Sequence, residues 1–302
     1  MAMSPWIALF LAVPAIWAPA TRRLGAGLLL AALGLAYAGG LLGPAALPAF
    51  AALAAAAWAV APPRPYACRL AGHVLFVALA LGLSLHWLPG FHNPRVIGPE
   101  RLAPDAVPFT MYLNLDKPLT GFWLILALPW VQAAQPAGRA ARAAIAAWLA
   151  TTACCLVPAF GLGLTGWAPK WPDQALLWAV NNLLLVCFAE EALFRGYVQG
   201  GLTRLLGARA GQGGLPLAVA ALLFGAAHAA GGWPWVLLAS MAGVGYGLAY
   251  RHGGLYAAIL AHFGLNAAHF FLFTYPMRDI AGLGADRAWM DGLNYFIGFA
   301  YN

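Results

Sequence analysis

Apolar runs of helix length follow one another along almost the whole chain and decide what it can fold into. Hydrophobic residues make up 63% of the 302 residues, and charged residues only 8%. A soluble domain of this length cannot hide so much apolar surface, because a large share of its residues must face water. The sequence therefore predicts an all-α fold, a polytopic transmembrane helix bundle with about nine or ten spans. The runs lie near 5–20, 24–41, 46–61, 70–88, 119–134, 143–161, 174–206, 215–229, 234–250 and 255–273.

The charges outside these runs fall into two sets of alternate loops, if there are ten spans and the N-terminus is outside. One set has nine basic residues and no acid: Arg22, Arg23, Arg64, Arg69, Arg139, Arg142, Arg204, Arg209 and Arg251. The opposite loops and tail have the basic residues Arg95, Arg101, Lys117, Lys170, Arg278 and Arg287, with the acids Glu100, Asp105, Asp116, Asp173, Asp279, Asp286 and Asp291. Basic loops stay on the cytoplasmic side. We therefore interpret the net charge of +7 as membrane topology and expect no nucleic-acid partner.

The first apolar run raises the question of a signal peptide. Residues 5–20 are about as long as a signal-peptide core, but no basic residue precedes them, and Arg22 and Arg23 follow directly. We therefore favour a retained first span. The Ala-, Gly- and Trp-rich composition is typical of a bacterial protein, so we expect an integral protein of the bacterial inner membrane.

Two adjacent carboxylates, Glu190 and Glu191, interrupt the apolar stretch FAEEALFRGYVQGGL. Carboxylates at membrane depth cost several kcal/mol unless the protein stabilises and uses them. Arg195 follows Glu191 by four residues, the helical spacing and order that favour an ion pair. Glu190 points about 100° away around the helix and would lack that partner. We therefore expect Glu191 and Arg195 to support the site and Glu190 to act as a general base.

Two further patterns place polar side chains on the next apolar segments. Phe224 precedes His228 by four residues, and His262 precedes Asn266 by four. An imidazole N–H and an amide NH₂ on one helix face can form an oxyanion hole. His228 could hold a water molecule together with Glu190. Glu190, His228, His262 and Asn266 would then suffice for attack of water on a peptide carbonyl.

Other interpretations of these residues remain open. A single membrane histidine more often packs or bonds between helices, which we expect of His73, His86 and His269. A zinc ion could be held by His228, His262 and a glutamate, but no H-E-x-x-H pattern is present, so we expect no cofactor. A proton-coupled transporter could use Glu190 and His228 as a relay. A non-catalytic immunity or scaffold protein could keep the same residues as contacts between helices.

The three patterns in this order resemble the CPBP family of intramembrane endopeptidases, which includes the CAAX prenyl proteases and bacteriocin-processing and immunity proteins. The resemblance extends from about residue 174 to 270. It implies a glutamic-type protease in which Glu190 and His228 activate water and His262 and Asn266 stabilise the oxyanion. It also implies that Glu191, Arg195 and Phe224 support the site. The expected substrate is a membrane protein or lipidated peptide in the lipid bilayer. We do not extend the prenyl-cysteine specificity of the CAAX proteases to this chain.

These observations divide the chain into four parts. Residues 1–118 are expected to be an N-terminal membrane scaffold that ends in an external loop, 89–118. Residues 119–173 would be connecting spans, 174–273 the catalytic core, and 274–302 an external tail. The loop 89–118 has six prolines and mixed charge. It is interpreted as an ordinary external loop, with a substrate-binding element or lid as the alternative.

Labelling of single cysteines tests the predicted topology. In a variant whose four native cysteines are replaced, Arg64→Cys and Arg139→Cys should react with a membrane-impermeant maleimide only after the membrane is permeabilised. The control, Arg101→Cys in the opposite set of loops, should react in intact cells. Labelling of positions 64 and 139 in intact cells would overturn the predicted orientation.

Overall fold

The computed structural model describes residues 3–132, 135–211 and 214–279. Four helices make up the first part of the chain: α1 (Ser4–Trp17), α2 (Arg22–Ala38), α3 (Leu47–Val60) and α4 (Tyr66–Ser84). They pack as two helix pairs, α1 with α2 and α3 with α4. Small residues allow the close approach, since a Cβ atom on Gly25 would lie 2.5 Å from the Ile16 backbone nitrogen.

The segment 89–118 is an ordered hairpin and not an irregular loop. Strand β1 (Arg95–Glu100) pairs antiparallel with strand β2 (Phe109–Tyr112). Phe109 and Met111 are fully buried, in an aromatic cluster with Phe270 and Tyr275. Helix α5 (Lys117–Ala127) begins five residues after β2, so the hairpin fixes where this helix starts. Part of the hairpin therefore belongs to the core, and its position on the external side stays a prediction.

The second part of the chain contains the longer helices: α6 (Ala137–Gly161), α7 (Ala175–Gly207), α8 (Leu215–Ala226) and α9 (Trp233–Leu272). Helix α7 has 33 residues, so it is about 50 Å long, as expected for 174–206 as one helix. The two spans expected at 234–250 and 255–273 join in α9, which bends at Gly254 (φ 76°). A positive φ is open to glycine without steric cost, and the bend separates the two expected halves.

The structure supports a helical membrane protein but does not confirm nine or ten spans. Within the described ranges, four helices are long and apolar enough to cross a membrane: Tyr66–Ser84, Ala137–Gly161, Ala175–Gly207 and Trp233–Leu272. Shorter apolar helices such as Ser4–Trp17 and Leu215–Ala226 fall below this length. A helix of 14 residues is about 21 Å long, less than the roughly 30 Å hydrocarbon core. The expected tail from residue 280 onwards lies outside the described residues.

Helix α7 is the element around which the other helices gather. Residues of α7 join a core cluster that extends through α1 to α5. On another side, Phe194 of α7 packs against a second cluster built from α6, α8 and α9. Contact with α5 is close, since a Cβ atom on Gly121 would lie 2.6 Å from the ring of Phe188. Glu190 and Glu191 follow Phe188 after one alanine and are thus held between the two clusters.

Candidate active site

The helix that carries the two glutamates departs from regular α-helical geometry on both sides of them. Residues Asn182–Cys187 and Ala192–Gln199 form π-helical turns, and Phe188–Glu191 form a short α-helical segment between them. Such turns are rare and are frequent at functional sites. Glu191 is fully buried and Glu190 is 9% exposed. The site is therefore built on a locally rearranged part of α7.

Glu191 and Arg195 form the ion pair that their spacing predicts. Arg195 Nε lies 3.2 Å from Glu191 Oε2, and neither side chain is exposed. Arg195 also donates a hydrogen bond of 3.0 Å to the Gly243 carbonyl of α9. Its guanidinium carbon lies 4.5 Å from the centre of the Phe224 ring, within cation–π distance. Arg195 therefore joins α7, α8 and α9 beneath the site.

His262 contacts both glutamates. Its Nδ1 lies 2.9 Å from Glu191 Oε1, and its Nε2 lies 4.0 Å from Glu190 Oε2. The ring is stacked on Tyr246 at 4.5 Å between centres. Because an ionised carboxylate can only accept, Nδ1 carries the hydrogen in this contact. A neutral His262 then has a lone pair on Nε2, so it can donate to an oxyanion only as the imidazolium.

Asn266 is oriented by a residue that the sequence patterns missed. Its Nδ2 donates a hydrogen bond of 3.2 Å to Asn182 Oδ1. Asn182 is buried at the start of the first π-helical turn of α7. The same nitrogen also donates to the weaker acceptor Cys187 Sγ at 3.8 Å, a contact that a ligand oxygen could replace. Asn266 and His262 line the same cavity, as their four-residue spacing predicts.

His228 lies just beyond the end of α8, with one ring nitrogen fixed. Its Nδ1 lies 2.8 Å from the Phe224 carbonyl oxygen. A carbonyl only accepts, so Nδ1 is the donor and Nε2 of the neutral ring carries the lone pair. Phe224 also packs against the His228 ring, with 4.7 Å between the ring centres. Phe224 thus supports His228 through its backbone and Arg195 through its ring.

Lys117 provides a charge partner that the sequence analysis did not assign to Glu190. Its Nζ lies 2.8 Å from Glu190 Oε1, and the lysine is buried. The expectation that Glu190 lacks a partner is therefore wrong. Lys117 was grouped with the charges of an external loop, and 73 residues separate it from Glu190. The number of charges in the apolar segment could have indicated such a partner. Two buried carboxylates beside a single buried arginine require a second cation for charge balance.

The start of α5 holds Lys117 in place. Asp116 caps the helix and accepts a hydrogen bond of 2.9 Å from the Lys117 backbone nitrogen. The Asp116 carboxylate is buried and also lies 2.7 Å from His86 Nδ1 and 3.1 Å from Asn93 Nδ2. Asn93 in turn accepts from the Leu115 backbone nitrogen. Residues that were expected to form a scaffold thus position a cation of the site, and His86 bonds between segments as expected.

Metal ligation does not account for the arrangement of these side chains. Across the described part of the chain, no three or more His, Cys, Asp or Glu side chains come together as they would around a metal ion. The candidate donors also have other partners, Lys117 for Glu190 and the Phe224 carbonyl for His228. The residues expected as an alternative zinc site therefore do not form an evident ligand set.

Residues 172–268 match the family described as type II CAAX prenyl endopeptidase Rce1-like. This segment is therefore similar to the Rce1-like endopeptidases of the CPBP family. The match confirms the resemblance that the three sequence patterns indicate. No curated protein and no solved structure matches the chain.

The Rce1-like segment covers about one third of the chain and includes all seven predicted site residues. The match, together with helices apolar enough to span a membrane, indicates an integral membrane protein with a segment similar to a protease family. Lys117 lies outside the matched segment, so the cation that pairs with Glu190 comes from the preceding part of the chain.

A charge-removal series tests whether Lys117 compensates Glu190. Lys117→Met should lower the free energy of unfolding by roughly 3–5 kcal/mol, because a buried carboxylate is left without its partner. The double variant with Glu190→Gln removes both charges and should recover most of the loss. Thermal unfolding in detergent measures both effects.

Lys170→Met is the matched control for this series. Lys170 is the other lysine of the chain, and its ammonium donates to the carbonyls of Ala168 and Phe273. Its replacement should cost much less than that of Lys117. A double variant that is no more stable than Lys117→Met would show that the two charges do not compensate each other.

Proposed function

We propose that this CAAX-type protease is an intramembrane endopeptidase that hydrolyses a peptide bond by glutamate- and histidine-activated water. The observation that carries the proposal is the convergence of Glu190, His228, His262 and Asn266 on one cavity. These four side chains come from α7, the end of α8 and α9. They supply the two kinds of group that peptide hydrolysis requires, proton acceptors and oxyanion donors.

The water molecule would be held by Glu190 and by Nε2 of His228. As its oxygen bonds to the carbonyl carbon of the scissile peptide, this pair accepts one of its protons. The π electrons of the carbonyl move onto its oxygen. The oxyanion would receive hydrogen bonds from imidazolium Nε2 of His262 and from the Asn266 amide hydrogen that otherwise contacts Cys187 Sγ. Re-formation of the carbonyl then breaks the C–N bond, and the retained proton is transferred to the leaving amine.

Glu191 has a defined part in this mechanism. The carboxylate of Glu191 accepts the hydrogen of His262 Nδ1 at 2.9 Å and so fixes the ring whose Nε2 would face the oxyanion. Arg195 keeps Glu191 in position. Replacing Glu191 or Arg195 would therefore affect oxyanion stabilisation as well as stability.

The proposed substrate is a membrane protein or lipidated peptide whose cleavage site enters the bilayer region. We also propose that the protein resides in the bacterial inner membrane with its N-terminus outside. The acid-free set of alternate loops supports this orientation.

Substitution of Glu190 tests the proposed chemistry. Glu190→Gln should lower the cleavage rate by about 10²- to 10⁴-fold, because an amide cannot accept the proton of water. It also removes the charge partner of Lys117, so we expect a loss of stability together with the loss of activity. Rates should therefore be compared with Lys117→Met plus Glu190→Gln, in which neither charge remains.

The measurement is the appearance of new peptide termini in membrane proteomes of the parent cell, with each variant in place of the natural protein. Glu100→Gln, in exposed strand β1, is the matched control and should leave the termini unchanged. Persistence of all termini in the Glu190 variants would contradict catalysis by this residue and favour a scaffold role.

We further propose that catalysis needs no metal ion. The proton acceptors and oxyanion donors are already provided by side chains with defined partners. Purified protein should therefore keep its activity in the presence of a chelator. Stoichiometric zinc in active protein, with activity lost to the chelator and restored by zinc, would overturn this proposal.

A further inference from the structure

At the turn in the middle of α9, arginines from two other helices are held by neutral groups. Arg139, near the start of α6, donates from Nε to the backbone carbonyl of His252 at 2.6 Å. Arg22, the first residue of α2, donates at 2.8 Å to Oε1 of Gln132. The Nε2 of Gln132 in turn donates at 2.8 Å to the hydroxyl of Tyr256. A carbonyl and an amide orient a guanidinium group but do not neutralise its charge.

A third guanidinium lies at the same end of α6. Arg142 follows Arg139 by three residues, so both lie on one face of the helix. The Arg142 side chain reaches back to the first turn, since a Cβ atom on Gly138 would lie 3.8 Å from its Nη1. Arg139 and Arg142 are exposed, and Arg22 is partly buried. Arg22, Arg139 and Arg142 thus border the turn of α9, and we call them the arginine site.

The acids of the described residues lie elsewhere. Glu190 and Glu191 are buried in the middle of α7 with cations of their own. The others lie in or next to the hairpin, or beside the far end of α9, where Asp105 contacts Thr274. The helical stretch 255–272 puts about 27 Å between that end and the turn. Among the described residues, therefore, no carboxylate neutralises the arginine site.

An exposed apolar strip continues from the arginine site along α6. Ile145 and Leu149 follow Arg142 by three and seven residues and so lie on its face of the helix. Their exposed fractions are 55% and 57%, and Val157, eight residues further on, is 68% exposed. Since α6 is long and apolar enough to cross a membrane, this strip contacts the acyl chains of the bilayer. Positive charge followed by an apolar strip matches an amphiphile with an anionic head group.

We propose that the arginine site binds an anionic phospholipid, with its phosphate at Arg22, Arg139 and Arg142 and an acyl chain along Ile145 and Leu149. The charges alone would also attract a free phosphate ion, and the apolar strip is what favours a lipid. Basic clusters between membrane helices on the cytoplasmic side suit such head groups, and the acid-free loops are predicted to lie on that side. This inference does not depend on the proposed protease function.

The test uses the full chain, purified in dodecyl maltoside. Dioleoyl phosphatidylglycerol and dioleoyl phosphatidylcholine have the same acyl chains and differ in head-group charge, and glycerol 3-phosphate carries the anion without the chains. Native mass spectrometry counts the bound molecules, and the rise in thermal unfolding temperature during titration gives the affinities. Phosphatidylglycerol should bind at least tenfold more tightly than either of the other two.

Substitutions locate the binding site. Arg139→Gln and Arg142→Gln should each weaken phosphatidylglycerol binding by about fivefold, as expected for one basic residue near an anionic lipid, and Arg139→Lys should keep most of the affinity. Leu149→Ser should also weaken binding, because it removes apolar contact with the acyl chain. Arg95→Gln, on exposed strand β1, is the matched control and should leave the affinity unchanged.

Each contrary outcome removes a defined part of the inference. Equal binding of phosphatidylglycerol and phosphatidylcholine would overturn recognition of the anionic charge. Glycerol 3-phosphate that binds as tightly as phosphatidylglycerol would overturn the lipid as the ligand. An equal loss of affinity in Arg95→Gln and Arg139→Gln would overturn the site, because only the overall charge of the protein would then matter.

Discussion

Two carboxylates that lie side by side in an apolar helix must each be compensated, and the helices around Glu190 and Glu191 are arranged to do so. Arg195 neutralises Glu191 from the same helix, and Lys117 neutralises Glu190 from α5. His262 lies between the two acids. Isolated charges in such surroundings would cost several kcal/mol each. The positions of α5, α8 and α9 around α7 follow from this need.

This arrangement makes the first part of the chain more than a scaffold. The hairpin and the Asp116 cap place Lys117 against Glu190, although the Rce1-like segment begins only at residue 172. Because one cation of the site lies outside that segment, the segment does not contain the complete charge balance. The same part of the chain also supplies Ala80 and Ser84 to a cavity that Glu190 and His228 line. The candidate site and this cavity are therefore shared between both parts of the chain.

Sequence spacing predicted those features that depend on one helix. Glu191 and Arg195 are in contact, and His262 and Asn266 face one cavity, because residues four apart lie on one helix face. The same reasoning failed for Glu190, whose partner is distant in sequence, and for Asn182, which orients Asn266. The number of membrane spans could not be predicted from the sequence either, because an apolar run does not show whether its helix is long enough to cross a membrane.

By itself, the sequence determined the membrane class of the protein, the three polar patterns and their family, because composition and local helical spacing suffice for these. Only the tertiary structure decided that Lys117 pairs with Glu190, that His262 contacts both glutamates, and that two cavities meet at Glu190 and His228. Each of these depends on which helices lie side by side. That choice is made by the packing of small residues and the pairing of buried charges over the whole chain, which no local pattern records.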